Sequence, residues 1–371
     1  MNPRLPVCEP HLWGNEKRYV VEALDGGWIS SAGEYLTRFE RDFAAYCGVE
    51  HGIAVANGTV ALHLALLAAG VGPGDEVIVP DFTMISPVLA VLQVGAIPVA
   101  VDALADTWTM NPAHIEARIG PKTRAILAVH IYGHPCDMAE ITAIARRHRL
   151  MVIEDAAEAH GATVHGQRCG SLSDIACFSF YANKIVTTGE GGMVLTRDPR
   201  LAEHVRAHRN LCFGKGPQRF VHEDLGYNYR LTNLQAALGV AQLEHIDEAI
   251  ARKRAIAAAY HQRLEEISSV ILPAERPWAL NVYWVYGIIL TAGFGRSRDE
   301  LAAWLAEQNI ETRPFFTGMH AQPLLARYRR VGDRFPISAR LGEEGLYLPS
   351  FMHMRDDDID RVVAAIRAAR R

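Results

Sequence analysis

The sequence predicts an α/β fold, with a mostly parallel central sheet covered by helices on both faces and a smaller α+β domain after it. Three observations lead there. Short β-branched apolar runs alternate with helical segments through the first half of the chain. The runs are apolar throughout, as in strands covered on both faces. From about Val270 the texture changes to one strand followed by capped amphipathic helices.

The strand-like runs are EVIVP (76–80), IPVAVD (97–102), RAILAVHIYG (124–133), LMVIEDAA (150–157) and IACFSFY (175–181), with MVLT following later. Between them TVALHLALLAAG, the stretch 85–94, NPAHIEARI and DMAEITAIARRH read as helices. Two long helices are expected over 232–268. WVYGIIL reads as a strand, and SRDELAAWLAEQ as a helix with a serine cap and early acids. DDDIDRVVAAIRAARR places acids first and arginines last, with Ile359, Val362, Val363 and Ile366 as its apolar stripe. The division that follows is a large domain over 1–250 and a smaller one over 251–371.

Composition narrows the function class. The chain has 371 residues, 49% hydrophobic and 22% charged, with a net charge of −4. That balance offers no broad basic face for nucleic acid or an anionic membrane. No apolar run reaches the length of a membrane span, and MNPRLPVCEPH lacks the apolar core of a signal peptide, so a cytoplasmic protein is expected. The six cysteines form no C-x-x-C pair and read as reduced, buried thiols. His204 and His208 are four apart on a helix, a chelating spacing, but basic residues surround them and no metal site is expected.

Polar groups gather where the strand-like runs end, which is where open α/β sheets bind ligands. Asn57, Gly58 and Thr59 precede an apolar helix; free N–H groups there can cradle phosphate, although plain capping explains them first. Asp155 ends a buried strand, with Glu154 beside it and Glu158 and His160 beyond. It can hold a protonated ring nitrogen or simply cap a turn. In FSFYANKIVTTGEGGMV (178–194), Lys184 stands a turn beyond Ser179, ahead of a glycine-rich stretch. A lysine there is either solvated or, if burial lowers its proton affinity, able to form a Schiff base. No P-loop or strand-linked G-x-G-x-x-G competes for the phosphate. Lysine, carboxylate and phosphate donors together fit pyridoxal 5′-phosphate.

The order of NGTVALHLAL, GPGDEVIVP, HIYGHPCDM, VIEDAAEAHGA, FSFYANKIVTTGEGGMV and GYNYRLTNLQAALGVAQLE resembles the DegT/DnrJ/EryC1/StrS sugar aminotransferases, from WISSAGEY to ETRPFF and GLYLPSF. The resemblance implies the aspartate-aminotransferase fold (fold type I) and transfer of the amino group of L-glutamate to a nucleotide-linked keto-deoxy-sugar, with pyridoxamine 5′-phosphate as the carrier form. It implies Lys184 as the Schiff-base lysine and proton carrier, Asp155 at the pyridine nitrogen, Glu158 near the cofactor hydroxyl, and Gly58, Thr59 and Ser179 at the phosphate. Asn228 would reach the phosphate from a neighbouring subunit, giving a homodimer with shared sites. Trp28, Ser30, Tyr181, Arg313 and His320 would shape the substrate site. A histidine in place of Lys184 marks relatives that remove a hydroxyl, so the lysine argues for transamination. Met84 stands where many relatives carry an aromatic residue over the pyridine ring, which leaves the sugar open: another keto-sugar nucleotide, a keto-octulosonate or a cyclitol is an alternative. A cofactor-binding regulator without turnover is the reading from outside enzymology.

Overall fold

A computed structural model describes residues 3–214 and 220–370. The first sheet contains β1 (His51–Val55), β2 (Glu76–Pro80), β3 (Ile97–Val101), β4 (Thr123–Val129) and β5 (Met151–Asp155). After a small hairpin, β6 (Thr163–Val164) and β7 (Gln167–Arg168), it adds β8 (Ile175–Ser179) and β9 (Gly192–Thr196). The spatial order is β1-β9-β8-β5-β4-β2-β3. Pairings are parallel from β3 through β8, and β9 lies antiparallel between β8 and β1. The expected mostly parallel sheet is present.

Helices cover both faces: α1 (Glu16–Asp25), α2 (Glu34–Cys47), α3 (Gly58–Ala68), α4 (Ser86–Gln93), α5 (Met138–His148), α6 (Pro199–Arg209) and α7 (Asn233–Leu243). Val77 and Val79 join a core with α3, α4 and α6, while Ile78 between them faces the α5 side, the period of two that a strand imposes. Phe178 and Met193 face α2 and α7 on that second side. Among the described residues no helix is long and apolar enough to cross a membrane.

The chain continues through α8 (Ile246–Leu264) into β10 (Val270–Ile271), β11 (Ala279–Leu280), β12 (Tyr286–Leu290), α9 (Arg298–Glu307), β13 (Arg313–Pro314), α10 (Pro336–Glu344), β14 (Gly345–Leu348) and α11 (Asp356–Ala369). Strands β10, β12, β14 and β13 form a second sheet, and β11 pairs with the β6–β7 hairpin. Ile359, Val362, Val363 and Ile366 of α11 are buried against α8, α9 and β12, as their spacing predicted. Ile246 and Ile250 of α8 sit in the first core and Ile256, Tyr260 and Leu264 in the second.

Two local expectations are corrected. NPAHIEARI forms two single 3-10 turns, Pro112–His114 and Glu116–Arg118. Nine residues running into Gly120–Pro121 are too short to sustain an α-helix. The run expected to be strand to Gly133 leaves the sheet at Val129, because Tyr132 and Gly133 adopt positive φ. Strand β1 and helices α1 and α2 carry weak local signals and were not expected. Gly52 inside β1 is required by packing, since a Cβ there would overlap the Glu40 carbonyl of α2.

Helix α9 begins with the expected serine: Ser297 accepts the Glu300 N–H, and Glu300 returns the bond to the Ser297 N–H. Ser297→Ala should therefore lower stability by about 1 kcal/mol, read as a lower urea midpoint.

Candidate active site

Strands β1, β2, β4, β5 and β8 all point the same way, so their carboxyl ends deliver residues to one edge of the sheet. Five connections start there: Asn57–Gly58 after β1, Asp81–Ser86 after β2, His130–Gly133 after β4, Asp155–Glu158 after β5 and Ser179–Lys184 after β8. All but the connection after β4 line a cavity of about 500 Å³, an ordinary size for a small-molecule site.

Lys184 stands in the wall of this cavity with a side chain only 10% exposed. Its Nζ is 3.7 Å from Glu158 Oε1 and 3.6 Å from the centroid of the Trp284 indole. Burial lowers its proton affinity, and the carboxylates of Glu158 and Asp155 only partly oppose that. An amine so placed is available as a nucleophile. Burial also pushes the Glu158 carboxyl up to about 7, with Lys184 pulling the other way. The Tyr132 N–H donates to Glu158 Oε2 at 2.7 Å. Asp155, in the same cavity wall, is raised by burial and accepts the Ala157 N–H at 3.0 Å.

Strand alternation separates Asp155 from its neighbour. Glu154 points to the opposite face and is saturated by the Gly170 and Leu172 N–H groups, the Ser173 hydroxyl and His130 Nε2. His130, Glu154 and Cys169 lie close enough to bind a metal ion. His130 Nδ1, however, already accepts the Cys136 N–H, so the cluster is a closed hydrogen-bond network. His160 is fully buried against Phe43, Phe178 and Phe180, and burial lowers its pKa to about 3. His204 and His208 stack on one another with ring centroids 3.9 Å apart, and the His208 Nδ1 faces the His204 carbonyl.

The start of α3 supplies another part of the cavity wall. Asn57 does cap that helix, accepting the Val60 N–H at 3.0 Å, and the same turn also lines the cavity. A Cβ on Gly58 would lie 2.8 Å from the Ser179 Cβ, so only glycine lets the helix start approach β8. Ser179 lines the cavity beside it. The Thr59 hydroxyl donates to Ser86 Oγ at 2.9 Å, and Ser86 directs its N–H and hydroxyl at the Met84 sulfur, each 3.1 Å away. Thr83 Oγ1 and Asn183 Oδ1 are buried at the cavity wall without a hydrogen-bond partner. Such orphaned groups beside a helix start suit a ligand with a phosphate and further polar atoms.

The other expected cofactor and substrate residues are distributed differently. Tyr181 and Met84 line the cavity and remain 48% and 44% exposed. Trp28 and Ser30 lie outside its wall, in a loop that buried Asn233 holds: its Nδ2 donates to the Trp28 carbonyl, and its Oδ1 accepts the Leu36 N–H. Arg313 is an exposed residue of β13 paired with Glu311. Asn228 is exposed and forms an isolated bridge with Asn210. His320 enters a separate crevice, because buried Asp81 accepts both its Nδ1–H at 2.6 Å and its backbone N–H at 2.8 Å. Within one chain, none of these last five residues reaches the cavity.

Sequence reasoning missed the wall supplied by the second sheet: Trp284 just before β12, Phe316 after β13 and Tyr347 in β14. Trp284 covers Lys184 and donates its indole N–H to the Asn183 carbonyl at 2.7 Å. No local pattern signals this, since the partners lie about one hundred positions apart.

The raised Glu158 carboxyl gives a pH prediction for the cofactor-free protein. Its stabilising share is fully present below the ordinary value of 4.5 and is lost as pH rises through about 7. Glu158→Gln removes that loss. Between pH 5 and pH 8 the parent should lose roughly 2–3 kcal/mol relative to the variant, measured by denaturant unfolding at each pH.

Comparison with known proteins agrees with this geometry. The profile of the DegT/DnrJ/EryC1/StrS aminotransferase family matches residues 11–367. The chain is 47% identical to GDP-perosamine synthase of Caulobacter vibrioides over 366 residues, covering 98% of each protein. It is 44% identical to GDP-perosamine synthase of Escherichia coli O157:H7, covering 98% of this chain and 97% of that one. Among solved structures, Streptomyces venezuelae DesV in complex with a ketimine intermediate superposes with a TM-score of 0.93 at 37% identity, over 100% of both chains. 3-Amino-5-hydroxybenzoic acid synthase superposes with a TM-score of 0.92 at 30% identity, over 100% of this chain and 99% of that one. The resemblance read from the motifs is borne out, and the chain belongs to the DegT/DnrJ/EryC1/StrS aminotransferase family.

Proposed function

We propose that this protein transfers the amino group of L-glutamate to GDP-4-keto-6-deoxy-D-mannose, giving GDP-perosamine, with pyridoxal 5′-phosphate as its cofactor. The observation that carries the reading is the placement of Lys184: a nearly buried amine of lowered proton affinity, in one cavity with Asp155 and the start of α3. The names of the relatives at 40–47% identity support the choice of sugar nucleotide.

The assigned roles follow from position. Lys184 would hold the cofactor aldehyde covalently, Asp155 its ring nitrogen, and Gly58, Thr59 and Ser179 its phosphate. When bound, the cofactor supplies an electron sink for a carbanion at the amine-bearing carbon. Lys184 Nζ takes the α-proton of glutamate and returns a proton to the sugar carbon, a role that suits an amine whose proton affinity burial lowers. Glu158 faces that amine and stabilises its protonated form. Met84, held by Ser86, would face the cofactor ring where relatives place an aromatic side chain. Trp284, whose ring lies against that amine, helps keep water from it.

The reading extends to assembly. A division near residue 250 into a large and a smaller domain puts the cavity between them. The chain pairs with a second copy, and Asn228 of one copy completes the phosphate site of the other. Trp28, Ile29 and Leu225 are exposed apolar residues that a second copy would cover.

Purified protein should be yellow and dimeric by light scattering. Borohydride reduction followed by peptide mass mapping should place a phosphopyridoxyl group on Lys184. Lys184→Ala should lower turnover by on the order of 10²–10⁴-fold or more, read as 2-oxoglutarate release. A colourless protein, or an alanine variant with parental turnover, overturns the mechanism. With glutamate and a panel of keto-sugar nucleotides, mass spectrometry should find the GDP-linked 4-keto sugar the best acceptor; another preferred acceptor overturns only the sugar.

A further inference from the structure

We propose that Tyr132, which does not line the cavity, is the positioning residue that joins its two walls: it aims its backbone N–H at Glu158 and offers its hydroxyl to the segment carrying Phe316. Tyr132 sits in the left-handed region with φ 54° and ψ 13°. A bulky aromatic residue rarely adopts that conformation, and it persists only where its surroundings hold it. The surroundings here are aromatic: Trp108, Phe315, Phe316, Trp284 and Tyr347 all lie within 6.4 Å of the Tyr132 ring, centroid to centroid.

Three contacts then reach the cavity. The Tyr132 N–H meets Glu158 Oε2 at 2.7 Å, and Glu158 Oε1 faces the Lys184 amine at 3.7 Å. The Tyr132 hydroxyl accepts the Phe316 N–H at 3.2 Å. The next residue, Gly133, also has positive φ; a Cβ there would come within 2.9 Å of the backbone nitrogens of Tyr283 and Trp284. The Gly133 carbonyl accepts the Val282 N–H, so the same turn seats the segment that carries the indole over Lys184. One strained turn thus places the carboxylate, the indole and Phe316 around a single amine.

The left-handed backbone at Tyr132 orients the carboxylate, and the ring carries the hydroxyl to the Phe316 segment. The titratable groups facing Glu158 are Lys184, Asp155 and the phenols of Tyr132 and Tyr347. Of the contacts around Glu158, the backbone bond from Tyr132 is one that favours the ionised form. The inference assigns its consequence to the proposed aminotransferase reaction and rests on that reading for catalysis only, because the contacts exist without cofactor.

The test compares alanine with glycine at this position. Neither has the ring, but glycine tolerates the left-handed conformation and alanine does not. In cofactor-free protein labelled with 13C-carboxyl glutamate, the Glu158 resonance is assigned from its loss in Glu158→Gln and followed against pH by NMR. Tyr132→Ala should move its midpoint upward by about half a unit or more, and Tyr132→Gly should restore most of that shift. Equal shifts in the two variants, or none in either, overturn the proposal, because a packing role alone predicts glycine to be no better than alanine. Should the alanine variant not fold, Tyr132→Phe carries the test. It keeps ring and N–H, so Glu158 should titrate as in the parent while KM for the amino acceptor rises about five-fold with kcat retained. A phenylalanine variant with parental KM overturns the hydroxyl link. A parent protein without glutamate-dependent turnover would sink the proposed function and leave the NMR comparison standing.

Discussion

The interaction on which the site depends is the packing of one amine away from water. A lone buried ammonium costs several kcal/mol unless it is paired. Lys184 has both Glu158 and the Trp284 ring beside its amine. That surrounding tolerates both protonation states, which a group that gives and takes a proton requires. Burial drives lysine and glutamic acid alike toward neutrality, and each partly restores the charge of the other. The pair is balanced by geometry, so the loops that fix their separation matter as much as the two residues.

Those loops derive their order from the sheet. Because β9 alone runs antiparallel between β8 and β1, the chain returns from Lys184 through the glycine-rich stretch and re-enters the sheet at Gly192. A Cβ at Gly192 would press within 3 Å of Asn57 and Gly58. The phosphate-facing turn and the lysine loop are therefore packed against each other, and neither can shift alone. Close packing of this kind transmits strain without absorbing it.

Much of this was legible from sequence where the signal is local. Apolar strands covered on both faces read as continuous runs, and the ends of those runs located Asp155, Ser179 and Lys184. Caps at Asn57 and Ser297 read directly as well. What stayed hidden is long-range. Trp284, Phe316 and Tyr347 reach the cavity because two sheets meet, and no periodicity encodes that meeting. His320 read as a substrate residue, but Asp81, buried at the end of β2, holds it elsewhere. β1 was hidden by its own Gly52, a residue that weakens strand propensity while the packing of α2 demands it.

The loop bearing Trp28 has a consequence of its own. Asn233 is itself buried and grips both flanks of that loop, and the side chain of Asn233 occupies the space a Cβ on Gly33 would need. The indole of Trp28, 63% exposed, is thus presented to solvent on a backbone that has already surrendered its freedom. Any surface that settles on it meets a preorganised anchor, and little of the association energy would be spent on ordering the loop.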